Sequence, residues 1–79
     1  MKLVAFPAYK AWQIPMRSNQ IWSRSPVNPN TYDLVLDLYL TDQNKIHLTM
    51  YDVVREIDPE DPLYVDEVAF DKYLNPETE

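Results

Sequence analysis

The 79-residue chain contains no glycine and no cysteine. An average chain of this length would carry about five or six glycines. Their absence excludes a P-loop, a Rossmann phosphate turn and a glycine-bearing EF-hand loop, which need backbone that only glycine adopts freely. Left-handed positions fall to asparagine instead, with Asn44 and Asn75 as the candidates. Without cysteine there is neither a disulfide framework nor a thiolate metal ligand. Acidic residues are missing from positions 1–30, and His47 is the only histidine. No apolar run approaches a membrane span, and the Met1–Val4 start lacks the apolar stretch of a signal peptide. The expectation is a cytoplasmic protein with no membrane partner. At 46% hydrophobic residues it reads as one globular domain over 1–79.

What the chain does have is strict alternation in Tyr32–Tyr51. Leu34, Leu36, Leu38 and Leu40 point one way, against Asp33, Val35, Asp37, Tyr39 and Thr41. Ile46, Leu48 and Met50 then alternate with Lys45, His47, Thr49 and Tyr51. Period two with one apolar face predicts two half-buried strands. A loop of Asp42-Gln43-Asn44 sets Leu40 opposite Ile46, Leu38 opposite Leu48 and Leu36 opposite Met50. An even loop count would place each leucine against a polar residue. Such a loop ends on a left-handed residue, which suits Asn44.

Around this hairpin, Lys2–Phe6 predicts an N-terminal strand that Pro7 ends or interrupts, fitting an edge strand or a bulge better than a central position. Tyr9–Ile14 fits either an extended segment or a helical turn. Pro15–Gln20 reads as a loop, Ile21-Trp22 as an apolar plug and Ser23–Asn30 as a connector. Asp52–Ile57 either prolongs the second strand or begins a short helix, and Asp58–Asp61 is a loop. Asp61 before Pro62 predicts a helix start. Val65, Val68, Ala69 and Tyr73 follow at helical spacing, and Asn75-Pro76 supplies a stop. The predicted fold is α+β: a small antiparallel sheet built on the 32–51 hairpin, with an N-terminal strand and one C-terminal helix. That helix is expected on the leucine face, helped by Phe6, Trp12 or Trp22.

Charge divides the chain. Residues 1–30 carry Lys2, Lys10, Arg17 and Arg24, a balance of +4. Residues 31–79 carry three cations against all thirteen acids, a balance of −10. The organisation is therefore a basic, aromatic segment over 1–31, the hairpin over 32–51, and an acidic loop and helix over 52–79. Glu56, Asp58, Glu60, Asp61, Asp66, Glu67 and Asp71 form a candidate surface for a basic protein partner, in the manner of nucleic-acid phosphates. The plainer account is that they are ordinary solvated acids. In size and charge the chain is similar to a functional class, small acidic cysteine-free proteins, many from phages, that block nucleic-acid enzymes or defence complexes. The likeness covers no motif. A second candidate interface is the outward hairpin face, Asp33, Val35, Asp37, Tyr39, Thr49 and Tyr51, which suits a small structural or assembly subunit or a homodimer of the chain. Lys10, Arg17 and Arg24 interleave with Tyr9, Trp12 and Trp22 as in a single-strand nucleic-acid groove. The acidic overall balance disfavours direct nucleic-acid binding.

Catalytic chemistry finds little footing. His47 faces Tyr39 and lies diagonal to Asp37, but Thr41 and Thr49 have no activating motif. Asp58, Glu60 and Asp61 lack the spacing of a cation loop, and paired carboxylates need a cleft that 79 residues hardly provide. No enzyme activity, cofactor or metal is expected.

Overall fold

The computed structural model describes residues 2–74. The expected left-handed Asn75 and the Asn75-Pro76 stop lie outside them. Among the described residues, six strands form one antiparallel sheet: β1 (Leu3–Pro7), β2 (Ile21–Arg24), β3 (Tyr32–Leu40), β4 (Ile46–Met50), β5 (Val54–Ile57) and β6 (Pro62–Asp66). Their order across the sheet is β1-β6-β2-β3-β4-β5. A 3₁₀ turn, Ala8–Gln13, follows β1, and a short helix, α1 (Glu67–Ala69), runs on as a π turn over Phe70–Leu74. The fold is thus mostly sheet, with only a small helical end.

The β3–β4 hairpin has the expected loop. Thr41 N–H donates to the Lys45 carbonyl at 2.8 Å, and Asn44 alone among the described residues has a positive φ, 61°. Leu40 pairs with Ile46 and Leu38 with Leu48, as the alternation predicts. Leu36 does not pair with Met50. A β-bulge inserts Leu36 as an extra residue, so that Asp37 faces Thr49 and Val35 faces Met50. That one-residue slip exchanges the faces of the strand's first half. Val35 is 2% exposed and enters the core, whereas Leu36 is 54% exposed. The expected continuous leucine face is therefore corrected, and so is the outward placement of Val35 and of Asp33, which pairs with the buried Ser23.

The C-terminal helix starts later than its capping signals suggest. Pro62–Asp66 is a strand inside the sheet, with Leu63 against Phe6 and Val65 against both Val4 and Ile21. Leu63 and Val65 are fully buried, so their alternation with Pro62, Tyr64 and Asp66 decides the element. Pro62 is tolerated as a strand's first residue, opposite Pro7. Asp66 takes over as cap, its carboxylate accepting the Val68 N–H at 3.2 Å. β1 consequently pairs with β6 and not with the hairpin, which is extended instead by β2 and β5. Phe6 joins the core, while Trp12 stands 51% exposed on the 3₁₀ turn. Ser23 and Arg24 belong to β2 and are not part of a connector.

The sheet is rolled. β5 and β6 lie four ladder steps apart, about 19 Å in a flat sheet. Yet the link between them is a turn at Asp58–Asp61, closed by Asp61 N–H to the Asp58 carbonyl at 3.0 Å. Such a link, with one residue added at each end, spans at most about 15 Å. The inner face must curl until β5 approaches β2, and Arg55 shows that it does. Its Nη1 donates to Ser23 Oγ and to the Arg24 carbonyl, both at 3.0 Å. Ile21, Val35, Ile46, Leu48, Leu63 and Val65 fill the enclosed side.

Candidate functional site

Six of the ten large apolar side chains exposed among the described residues lie between positions 36 and 54: Leu36, Tyr39, Leu40, Tyr51, Val53 and Val54. Local structure explains the grouping. The bulge expels Leu36 from the ladder. On the other side, Met50 N–H donates to the Val53 carbonyl at 2.9 Å, leaving Tyr51 and Asp52 at the tip of the β4–β5 turn. Tyr51 is 86% exposed there. Together these two irregularities shape a hollow of about 240 Å³ lined by Asp33, Leu34, Leu36, Tyr51, Asp52 and Val53, with Met50 behind them. No lysine or arginine lines it, so its two carboxylates give an apolar floor an acidic rim.

Beside the hollow, the outward face of β3–β5 carries Asp37, Thr49 and Val54 in one row and Tyr39, His47 and Glu56 in the next. Tyr39 and His47 stack with ring centroids 4.7 Å apart and planes 16° from parallel. Stacking on tyrosine gives His47 a packing role on this face. Among the described residues no cluster of three His, Cys, Asp or Glu side chains could hold a metal ion.

The seven acids of the later chain fall into two groups. Glu56, Asp58, Glu60 and Asp61 lie at the end of β5 and in the β5–β6 turn. Asp66, Glu67 and Asp71 lie on the cap and helix at the far end of β6. Asp61 and Asp66 are five extended residue steps apart, roughly 17 Å. Several members have local duties. Asp58 pairs with Lys45, and this hydrogen bond, then the Asp58 charge, raises the lysine's pKa above its ordinary value. Asp61 Oδ2 accepts the Asp58 N–H at 3.0 Å, and Asp66 caps α1. Glu56, Glu60, Glu67 and Asp71 are exposed.

The basic, aromatic residues of the first segment are dispersed. Tyr9 and Trp12 are exposed on the 3₁₀ turn, and Arg17 is exposed on the loop after it. Trp22 packs on the outer face of β2, between Leu34 and Tyr64 in the ladder. Its buried Nε1 has no hydrogen-bond partner. Arg24 lies over the rings of Tyr32 and Tyr64, 5.8 and 5.5 Å from their centroids.

Leu36, Leu40, Val53 and Val54 are the surface residues that sequence reasoning misses. The sequence carries no signal for the bulge, because residues 34–36 of β3 are Leu-Val-Leu, apolar on both faces of that stretch. The turn at Tyr51-Asp52 lacks the glycine or asparagine that ordinarily marks a tight hairpin. No helix among the described residues is long and apolar enough to cross a membrane. Comparison with protein-family models, curated proteins and solved structures finds no match.

Proposed function

We propose that this chain is a non-enzymatic protein-binding module, acting in the cytoplasm, that docks through the hollow at the β3 bulge. The observation that carries the reading is the hollow itself: Leu36, Tyr51 and Val53 form an apolar centre flanked by Asp33 and Asp52. Apolar centres within polar rims are the anatomy of specific interfaces, and tyrosine is enriched in them. The acidic rim and the −10 balance of residues 31–79 select a partner with a basic rim around an apolar projection. Glu56, Asp58, Glu60 and Asp61 extend the same sign of charge along the neighbouring strand and turn. They steer association and do not form its centre. Such a partner is a nucleic-acid enzyme or a defence complex, which the module would block stoichiometrically.

The test compares proteins captured from host lysate by wild type, by Tyr51→Ala/Val53→Lys and by Glu60→Lys/Glu67→Lys. A basic protein held by wild type, released by the hairpin variant and weakened by salt supports the reading. Capture indifferent to the hairpin variant overturns it.

A second reading, self-association, is favoured by the position of β5. It ends the sheet, and Val54 on it is 54% exposed. Light scattering at micromolar concentration separates the two, since a strict monomer removes self-association.

A further inference from the structure

Arg55 is the least expected residue of the fold. It pairs with the fully buried Leu48, which places its stem on the inner face of the rolled sheet. The guanidinium then crosses the seam between β5 and β2 to reach Ser23, the one buried polar residue among those described. Both bonds come from Nη1. Arginine has five N–H donors and keeps its charge throughout the accessible pH range. Arg55 is thus a partly buried cation with donors to spare, and no carboxylate among the described residues lies within ion-pair distance of it. Charged side chains are seldom taken out of water without a partner of opposite sign.

A second arginine converges on the same place. Arg24, whose backbone carbonyl accepts from Arg55, lays its guanidinium against Tyr32 and Tyr64 and likewise forms no ion pair among the described residues. Tyr32 and Tyr64 meet edge to face at 5.0 Å, so the support beneath that guanidinium is a packed aromatic pair. Ser23, Arg24, Arg55, Ile57, Asp61 and Tyr64, with Pro62, line a hollow of about 350 Å³ at the seam. Asp61 is the one opposing charge there, and its Oδ2 is engaged by the Asp58 N–H. In a chain of net charge −6, this hollow is lined by two cations and one anion.

From this convergence we infer that the seam hollow is a binding site for a small oxyanion, the phosphate or carboxylate group of a low-molecular-weight ligand, held between Arg55 and Arg24 with Tyr64 as its apolar wall. Guanidinium groups answer such anions with paired N–H bonds, and aromatic faces hold the fork in place. The site shares no residue with the hollow at the β3 bulge. It goes beyond the docking function, and either can fail alone.

The experiment is a titration of the full chain with inorganic phosphate and with acetate, at constant ionic strength balanced by chloride. Proton–nitrogen NMR follows the amides of Ser23, Arg24 and Tyr64 and the Nε–H signals of both arginines. Saturable shifts confined to these groups are expected, and they should weaken at least tenfold in Arg55→Lys and in Arg24→Gln. Saturation by phosphate alone assigns a phosphate-bearing ligand, by acetate alone a carboxylate, and by both a general oxyanion site. Arg24 is exposed, so Arg24→Gln decides the matter alone should Arg55→Lys not fold. Shifts that chloride reproduces, or saturation unchanged in Arg24→Gln, overturn the assignment.

Discussion

If the sheet is rolled and fastened by Arg55, then Arg55 and Ser23 must be energetically coupled although they lie 32 residues apart. The perturbation is a double-mutant cycle of Arg55→Met and Ser23→Ala. Methionine keeps much of the arginine's aliphatic stem and removes both Nη1 bonds, 3.0 Å each to Ser23 Oγ and the Arg24 carbonyl. Hydrogen bonds involving a charged group contribute about 1.5–3 kcal/mol each. Because Arg55 is only partly buried, water replaces some of that, and Arg55→Met should cost about 2–4 kcal/mol. In a chain of this size that lowers Tm by roughly 10–25 °C. Ser23→Ala removes one acceptor and leaves the carbonyl bond, so about 1–2 kcal/mol is expected. The coupling between the two should be about 1–2 kcal/mol. Urea unfolding followed by tryptophan fluorescence reads all four proteins, with Trp22 beside Ser23 as a local reporter. A coupling below about 0.5 kcal/mol, the scatter of independent sites, would show that Arg55 does not close the seam.

The bulge makes an opposite prediction for adjacent residues of β3. Val35→Ala should destabilise by about 1–3 kcal/mol through lost burial, whereas Leu36→Ala should stay within about 0.5 kcal/mol; calorimetry distinguishes this from an unbulged strand, in which the ranking reverses. Asn44→Val should cost about 1–2 kcal/mol, because its φ of 61° is costly for a β-branched residue, and Asn44→Gly should be close to neutral. Equal midpoints for the two variants in urea would contradict the left-handed loop position.

The middle of the hairpin is legible in the sequence because the odd loop admits one register that aligns Leu38 with Leu48 and Leu40 with Ile46. Its beginning is not legible. Residues 34–36 are Leu-Val-Leu, so either face of that stretch serves as an apolar face, and the choice is made by Ile21 and Met50, which flank Val35 on neighbouring strands. The same holds for β6. Asp61-Pro62 and Asp66 are both sound helix caps, and nothing local ranks them. Long-range pairing of Leu63 with Phe6 and of Val65 with Ile21 makes the first a strand entry and leaves the second as the cap. Of the candidate site, Asp33 and Tyr51 stand out by chemistry alone. Leu36 and Val53 become surface residues only through irregularities of backbone pairing, and Arg55 looks like any strand cation until the sheet is rolled.

Among the described residues, one takes a left-handed backbone conformation, and the sheet curls and turns without a single glycine. That economy has a thermodynamic side. Replacing a glycine at a tolerant position gains about 0.4–1 kcal/mol, because the unfolded chain has fewer conformations to lose. Lacking the five or six that an average chain would have is therefore worth about 2–6 kcal/mol. Against the 5–15 kcal/mol that separates folded from unfolded proteins generally, stiffness of the disordered chain carries a sizeable share of this small molecule's stability. Changes that introduce glycine into its turns at positions other than the left-handed Asn44 should weaken it even where no contact is lost.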